Sequence, residues 1–398
     1  MVDLKETIYG NIAIGWEFIP AAIYCERVTD GTHDSPAPQA EGKPLITSKH
    51  MKGREIDFDN AYLIDESEFS RINMRSKVNQ WDVLISMIGE YCGFCYVERN
   101  ENVNYAIKNV GLFKTGSRPK AMWLYYFLNS RIGRSILDAN KSGTSQPYLS
   151  LGALRALPIL YPSSDKEAEQ IVEVLSSLDD KIDLLRRQNE TLEALAETLF
   201  RQWFVEEAEE SWERKPLAKI ANYLNGLALQ KYPANDGESL PVIKIRELNQ
   251  GITDATDRCS RAVPEQYIVH DGDVLFSWSG SLQIVIWHDG EGALNQHLFK
   301  VTSDIYPKWF YYFATMHHLD DFRAIAESKS TTMGHIQRHH LSEATIPIAP
   351  EALFERYDEA ISPLIKKIIL NNSQIKTLTI QRDILLPKIM SGEVRVKV

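Results

Sequence analysis

Thiols, imidazoles and loops of basic and amide side chains are the groups in this 398-residue chain whose spacing could do chemistry. Cys92-Gly-Phe-Cys95 has the two-residue gap of a redox or zinc-binding pair. A redox pair needs a thioredoxin-like strand–turn–helix setting, and a structural zinc needs a second pair of ligands. Cys25 and Cys259 stand alone, so a structural role is favoured for these thiols. His335-Ile-Gln-Arg-His339-His340 places imidazoles at i and i+4, but no Glu follows the first His and the metalloprotease pattern fails. An exposed or DNA-facing role is favoured there over a metal. The chain has no Walker A pattern, no Gly-rich dinucleotide fingerprint and no Asn-Pro-Pro-Tyr or Asn-Pro-Pro-Phe run. No catalytic residue, cofactor or metal site is expected.

Contact chemistry is the stronger signal. Thr47-Ser-Lys49-His50-Met-Lys52-Gly53-Arg54 is the densest polar and basic loop of the first half, and Lys244-Ile-Arg246-Glu-Leu-Asn249-Gln250-Gly251 answers to it in the second. A second pair is Lys141-Ser142-Gly143-Thr144-Ser145-Gln146 and Lys329-Ser330-Thr331-Thr332-Met333-Gly334-His335. Small hydroxyls, Gly and one Lys let a backbone approach phosphate closely. Arg and Lys suit guanine edges, Asn and Gln adenine edges. Any one of these loops alone reads more readily as solvated surface. Recurrence at equivalent places in both halves brings the two readings nearly level, and for the second pair the DNA reading is preferred.

The formal net charge of −10 argues against nucleic acid at first sight. Its distribution weakens that objection. Residues 1–164 hold 18 acidic and 18 basic side chains, whereas residues 165–215 hold 15 and 7. Residues 216–350 hold 15 and 11, and residues 351–398 hold 6 and 8. Most of the acid therefore belongs to one segment, which reads as helix. It opens on Ser164-Asp-Lys-Glu167, the spacing of a capping box, and then has no Gly or Pro for about 40 residues. Ile171, Leu175, Leu178, Ile182, Leu185, Asn189, Leu192, Ala196, Leu199 and Trp203 recur in steps of four and three, a heptad seam. A long core helix in a globular bundle is the alternative, but such helices show a broader apolar stripe.

The chain also repeats itself. Trp81-Asp82-Val-Leu-Ile-Ser86 answers to Gly272-Asp273-Val-Leu-Phe-Ser277, and Leu112-Phe113-Lys114 to Leu298-Phe299-Lys300. Trp123-Leu-Tyr-Tyr-Phe127 answers to Trp309-Phe-Tyr-Tyr-Phe313, and Leu157-Pro158-Ile159 to Ile346-Pro347-Ile348. One unit of about 190 residues is used twice. Both aromatic strings read as core helix. Shifting the seam by 186 gives a second, from Tyr357 to Ile389, with Asn371 and Arg382 as its polar members. Pro363 is expected to cap or kink that helix and Pro387 to end its regular part. A globular module lies between the helices, which favours antiparallel pairing. With residue i opposite 560 − i, Asn189 meets Asn371 and Leu175 meets Leu385, and the paired amides would set the register. The expected fold is mixed α/β (α+β), with modules at 1–163 and 209–349 and helices at 164–208 and 350–398 forming an antiparallel coiled coil. The seam from Ile171 to Leu199 would span about 42 Å, a little over one turn of B-DNA.

Over its whole length the chain resembles the specificity subunits of type I restriction-modification systems. The resemblance is carried by Leu175-Ser-Ser-Leu-Asp-Asp-Lys-Ile182, Arg187-Gln-Asn-Glu-Thr-Leu192, Leu199-Phe-Arg-Gln-Trp-Phe204 and Leu385-Leu-Pro-Lys-Ile-Met-Ser-Gly392. Thr29-Asp-Gly-Thr-His33, Asn225-Gly-Leu-Ala-Leu-Gln-Lys231 and Asn295-Gln-His-Leu-Phe299 resemble pieces that frame the family's target-recognition domains, and Lys231 joins the candidate DNA contacts. The resemblance implies a non-catalytic subunit whose two recognition domains each read half of a bipartite double-stranded DNA target. It also implies helices that separate those domains and dock two modification (methyltransferase) subunits, with restriction (helicase-nuclease) subunits joining. No apolar run approaches the length of a membrane span, the N-terminus lacks a signal-type pattern, and four cysteines make no disulfide framework, so the cytoplasm is expected. The rival readings are a dumbbell-shaped protein-interaction scaffold without DNA readout and, weaker, a zinc- or thiol-dependent enzyme.

Overall fold

The computed structural model describes residues 3–143, 145–234, 237–328 and 334–396. The chain divides into two compact units, residues 1–180 with 379–398 and residues 181–378. Each unit therefore takes part of both long helices.

In the first unit, a four-stranded antiparallel sheet runs in the order Arg27–Asp30, Val110–Lys114, Asp82–Ser86, Cys95–Val97. The period of two along a strand assigns its side chains to opposite faces. Val83, Ile85 and Phe113 pack with the aromatic helix Arg118–Asn129, where Trp123, Tyr126 and Phe127 are buried. Leu84, Val110 and Leu112 pack the other way, with Met51 and with Ile46 and Ile107 of a smaller sheet. That smaller sheet is Leu63–Ile64, Lys43–Thr47 and Ala106–Lys108, the last two parallel. Across the main sheet, Lys114 Nζ lies 2.6 Å from the buried Asp82 carboxylate.

The second unit repeats this plan. Its main sheet is Asn222–Asn225, Leu298–Thr302, Val274–Ser277, Gln283–Ile286, again all antiparallel. Val274 and Phe276 face the helix Lys308–His317, and Leu275 faces Ile243, Val269 and Leu294. The smaller sheet again pairs two strands in parallel, Ser239–Ile243 with Gly292–Leu294. Lys300 and Asp273, 2.7 Å apart, repeat the cross-strand ion pair. A two-stranded ribbon closes each unit: Glu17–Pro20 with Pro158–Tyr161, and Arg214–Pro216 with Thr345–Pro347.

The long helices are Asp165–Arg201 and Glu351–Met390, 37 and 40 residues. Ser164 Oγ accepts the Glu167 amide at 3.2 Å and caps the first. A π-helical turn, Gln202–Glu206, follows it and buries Phe204 against Phe200. The helices form an antiparallel coiled coil. In the second unit Asn189 meets Asn371, and further along the first helix Trp203 stacks on Tyr357 with ring centres 4.2 Å apart. In the first unit Leu175 shares a core with Leu385 and Ile389. The second helix runs on past both Pro363 and Pro387, so Pro387 does not end it as the sequence leads one to expect. Pro363 is exposed, so water can satisfy the carbonyl it orphans. Beyond the helix Ser391 accepts the Ala13 amide at 2.8 Å, and a Cβ on Gly392 (φ +74°) would meet Ala13 Cβ at 2.4 Å.

Candidate nucleic-acid interface

In both units the first expected loop leaves the end of the parallel strand of the smaller sheet. In the first unit, Lys43–Thr47 ends in the short 3-10 turn Ser48–His50. Ser48 Oγ donates to the Asn109 carbonyl (2.9 Å), and the Thr47 amide donates to His50 Nδ1 (3.0 Å). His50 is buried by that duty, and burial, followed by nearby Lys49, pushes its pKa below the usual imidazole value. Arg54 turns inward to Asp179, 2.5 Å away. Lys49 and Lys52 are exposed, and the Lys52 ammonium lies over the Tyr91 ring, 4.8 Å from its centre.

The second unit replaces the turn by the helix Ile245–Gln250. Glu247, buried, accepts the Lys244 amide at 3.1 Å and holds the Arg246 guanidinium at 2.7 Å. Arg246 also donates to the Ala255 carbonyl, and Lys244 Nζ pairs with Asp257. Asn249 Nδ2 donates back to the Ile245 carbonyl, while Gln250 is exposed. Lys231 is exposed at the end of the 3-10 turn Leu229–Lys231.

The second expected loop can be followed in the first unit and at its end in the second. In the first unit Lys141 pairs with Asp138 at 2.7 Å, just past the helix Arg131–Asn140. Two backbone hydrogen bonds of 2.9 Å between Ser142 and Tyr148 close the loop, which leaves Ser145 and Gln146 exposed. Gly143, at φ +85°, supplies a left-handed turn. Gly89 donates to the Pro147 carbonyl and Leu149 to that of Met87; in the second unit Gly280 donates to Gly334 and Ile336 to Trp278. Tyr148 and His335 thus hold the same place, His335 edge-on to Trp278. Thr144, Lys329, Ser330, Thr331 and Thr332 lie outside the described residues.

The structure brings the two loops of the first unit together through the segment that carries Cys92 and Cys95. The turn between Ser86 and Cys95 carries Tyr91 under Lys52, touches Pro147 through Gly89, and places Gly93 where a Cβ would lie 3.7 Å from Lys141 Cε. Arg134 Nη1 donates to the Gly93 carbonyl at 2.9 Å. Cys92 and Cys95 are free thiols buried beneath this turn, and burial pushes Cys95 up to about 12, far from a reactive thiolate. Alternation along the adjacent strands, with Gly at the bend, was the signal available for Tyr91. In the second unit the matching turn places Ser279 on His297 Nδ1 (3.0 Å) and Trp278 Nε1 on Asn225 Oδ1 (3.0 Å), which gathers the framing pieces.

Gly31 and Gly226 make those pieces possible: a Cβ at either would lie 2.2 Å from a backbone carbonyl oxygen, of Ile107 and Asn295 respectively. His33 sits between Asp30 (3.0 Å) and Asn109 (2.8 Å). Among the described residues, His339, His340 and Glu343 offer three ligand atoms within 4.8 Å of one another. His340 Nδ1 already accepts the Gln337 amide at 2.9 Å, the same capping duty as His50. Asn371, fully buried, donates to Asn189 Oδ1 (2.8 Å) and Gln188 Oε1 (3.0 Å), and Asn189 donates to Asn372 Oδ1 (2.7 Å). No helix of the described residues is long and apolar enough to cross a membrane.

Comparison with known proteins gives a consistent family. The model of the type I restriction modification DNA specificity domain matches residues 39–194 and 209–379. The type I restriction enzyme MjaIX specificity subunit of Methanocaldococcus jannaschii is 26% identical over 301 residues, covering 69% of each chain. The HindI specificity subunit of Haemophilus influenzae is 38% identical over 72 residues, 18% of this chain and 15% of that one. The crystal structure of the type I restriction-modification S subunit from M. genitalium has a similar fold, with TM-score 0.58 at 15% identity, covering 94% of this chain and 96% of that one. With both of its repeats matched, the chain belongs to the type I restriction-modification DNA specificity family.

Proposed function

We propose that the chain is the sequence-specific DNA-recognition subunit of a type I restriction-modification complex, with each unit reading one half of a bipartite target. The observation that carries the reading is the doubled framework. The same sheets, the same cross-strand ion pair and the same place for the first loop occur twice, while that loop differs between the units in sequence and local structure. A constant scaffold with divergent polar loops suits two half-sites of different sequence. Lys49, Lys52, Lys141, Ser145 and Gln146 of the first unit and Lys231, Lys244, Arg246, Asn249, Gln250 and His335 of the second are the proposed contacts. His50 and Arg54 act from behind the first loop. The long helices set the half-site spacing and dock two modification subunits, and methyl transfer and ATP-dependent cleavage belong to partner chains. Four free, buried thiols suit a reducing cytosol.

The test is a footprint of the chain, purified with its modification subunits, on a library of duplex DNA. Two short protected motifs at one fixed spacing are expected. A complex that assembles but protects no sequence would favour a protein scaffold instead.

A further inference from the structure

The carboxylate of Asp179 is 1% exposed, yet it lies on the first long helix in a heptad segment that should bury only apolar side chains. Three elements of its unit meet it. Arg54, from the first recognition loop, reaches Oδ2 at 2.5 Å. Arg382, from the second long helix, reaches Oδ1 at 3.1 Å. The Tyr126 hydroxyl, from the aromatic helix, donates to Oδ2 at 2.9 Å. A buried carboxylate persists only with partners of this kind, and removing one of them leaves uncompensated charge.

Among the described residues the second unit has no such junction at the equivalent place. The residue that the 186-residue repeat sets against Asp179 is Ile365, buried among apolar neighbours. Tyr312, the equivalent of Tyr126, gives its hydroxyl to Glu193 instead. The heptad pattern alone thus does not account for an acid at 179. Beyond Ser48, which is tied to the Asn109 carbonyl, and Lys52, which lies over Tyr91, the loop that Arg54 ends is held by short-range backbone bonds: Met51 to Ser48, Lys52 to Glu55 and Asp57 to His50. Gly53, at φ +80° with open space around it, separates exposed Lys52 from tethered Arg54.

We propose that Asp179 is a positioning residue for DNA recognition by the first unit: through Arg54 it anchors the Thr47–Arg54 loop to the helix pair, so that Lys49 and Lys52 meet DNA in one fixed orientation. The proposal rests on the reading of that loop as a DNA contact. It makes the loop's geometry sensitive to the helices, because Arg382 shares the same carboxylate. It also confines the effect to one half-site.

Two variants test this, D179N and R54M, each in the full chain assembled with its modification subunits. R54M leaves Asp179 paired with Arg382, so it serves if D179N does not fold. Without DNA, amide exchange at Lys52 and Asp57 is expected to rise about tenfold or more in both variants. With DNA, discrimination against base changes in the first unit's half-site is expected to fall about tenfold, and discrimination at the other half-site to stay as in the parent. Unchanged exchange in both variants would overturn the proposal, as would an equal loss at both half-sites. A parent complex with no half-site discrimination would instead overturn the DNA reading, while the exchange measurement still decides whether Asp179 holds the loop.

Discussion

His50 accepts the Thr47 amide on Nδ1, a duty open only to the unprotonated ring, and burial and Lys49 hold its pKa below the ordinary 6.5. The unfolded chain takes up a proton near that value while the folded ring does not. The stability of the turn is therefore full above it and is lost as the pH falls through the folded pKa. Amide protection at Thr47, corrected for intrinsic exchange, should decline between about pH 7 and about pH 5, and a flat profile would remove His50 from this role. Lys141, held by an exposed Asp138 beside the second loop, is the residue to test for phosphate contact. Lys141→Ala should weaken binding to every sequence alike and lower the salt slope by about 1; a loss confined to some sequences would mean that it reads a base.

At the scale of elements, the seam was legible because a heptad pattern needs no distant partner to be seen. Asn189 and Asn371 stood out in it as polar interruptions, and they hydrogen-bond each other across the helices. Asn371→Leu should cost about 1–3 kcal/mol in chemical denaturation, because two acceptors lose their donor; the double change with Asn189→Leu should recover much of it. Pro387 misleads because the rule against Pro in a helix is local. Packing along the rest of a 40-residue helix overrules it. The recognition loops were only half legible. Their composition marked them as polar and basic, but Arg54 and His50 look like any other basic residues until Asp179 and the Thr47 amide are placed beside them. The turn that carries Tyr91 has no basic or amide run to mark it in sequence, and its cysteines are free, buried thiols. Gly31 and Gly226 carry a sharper expectation. Each faces a backbone carbonyl that cannot yield to a Cβ, so Ala at either should destabilise its own unit by about 2 kcal/mol or more in thermal or chemical unfolding.

For the whole molecule, the charge of −10 is compatible with DNA reading because its excess lies in the helical segment, not in the loops. Among the described residues the loops offer few unpaired cations, since Lys141, Lys244 and Arg246 all have acidic partners. Counterion release from so few contacts supports only weak binding. The isolated chain should therefore bind duplex DNA weakly, and its affinity should rise sharply once modification subunits join. Fluorescence titration at fixed salt checks this, and tight, specific binding by the chain alone would contradict it. The central claim, two half-sites read by two units of one subunit, is tested most directly by the DNA methylome of the host with and without this gene. The account predicts that one bipartite motif, two short sequences at a fixed spacing, loses its methylation when the gene is removed. An unchanged methylome in a host whose modification subunit is active, or the loss of one continuous motif, would contradict it.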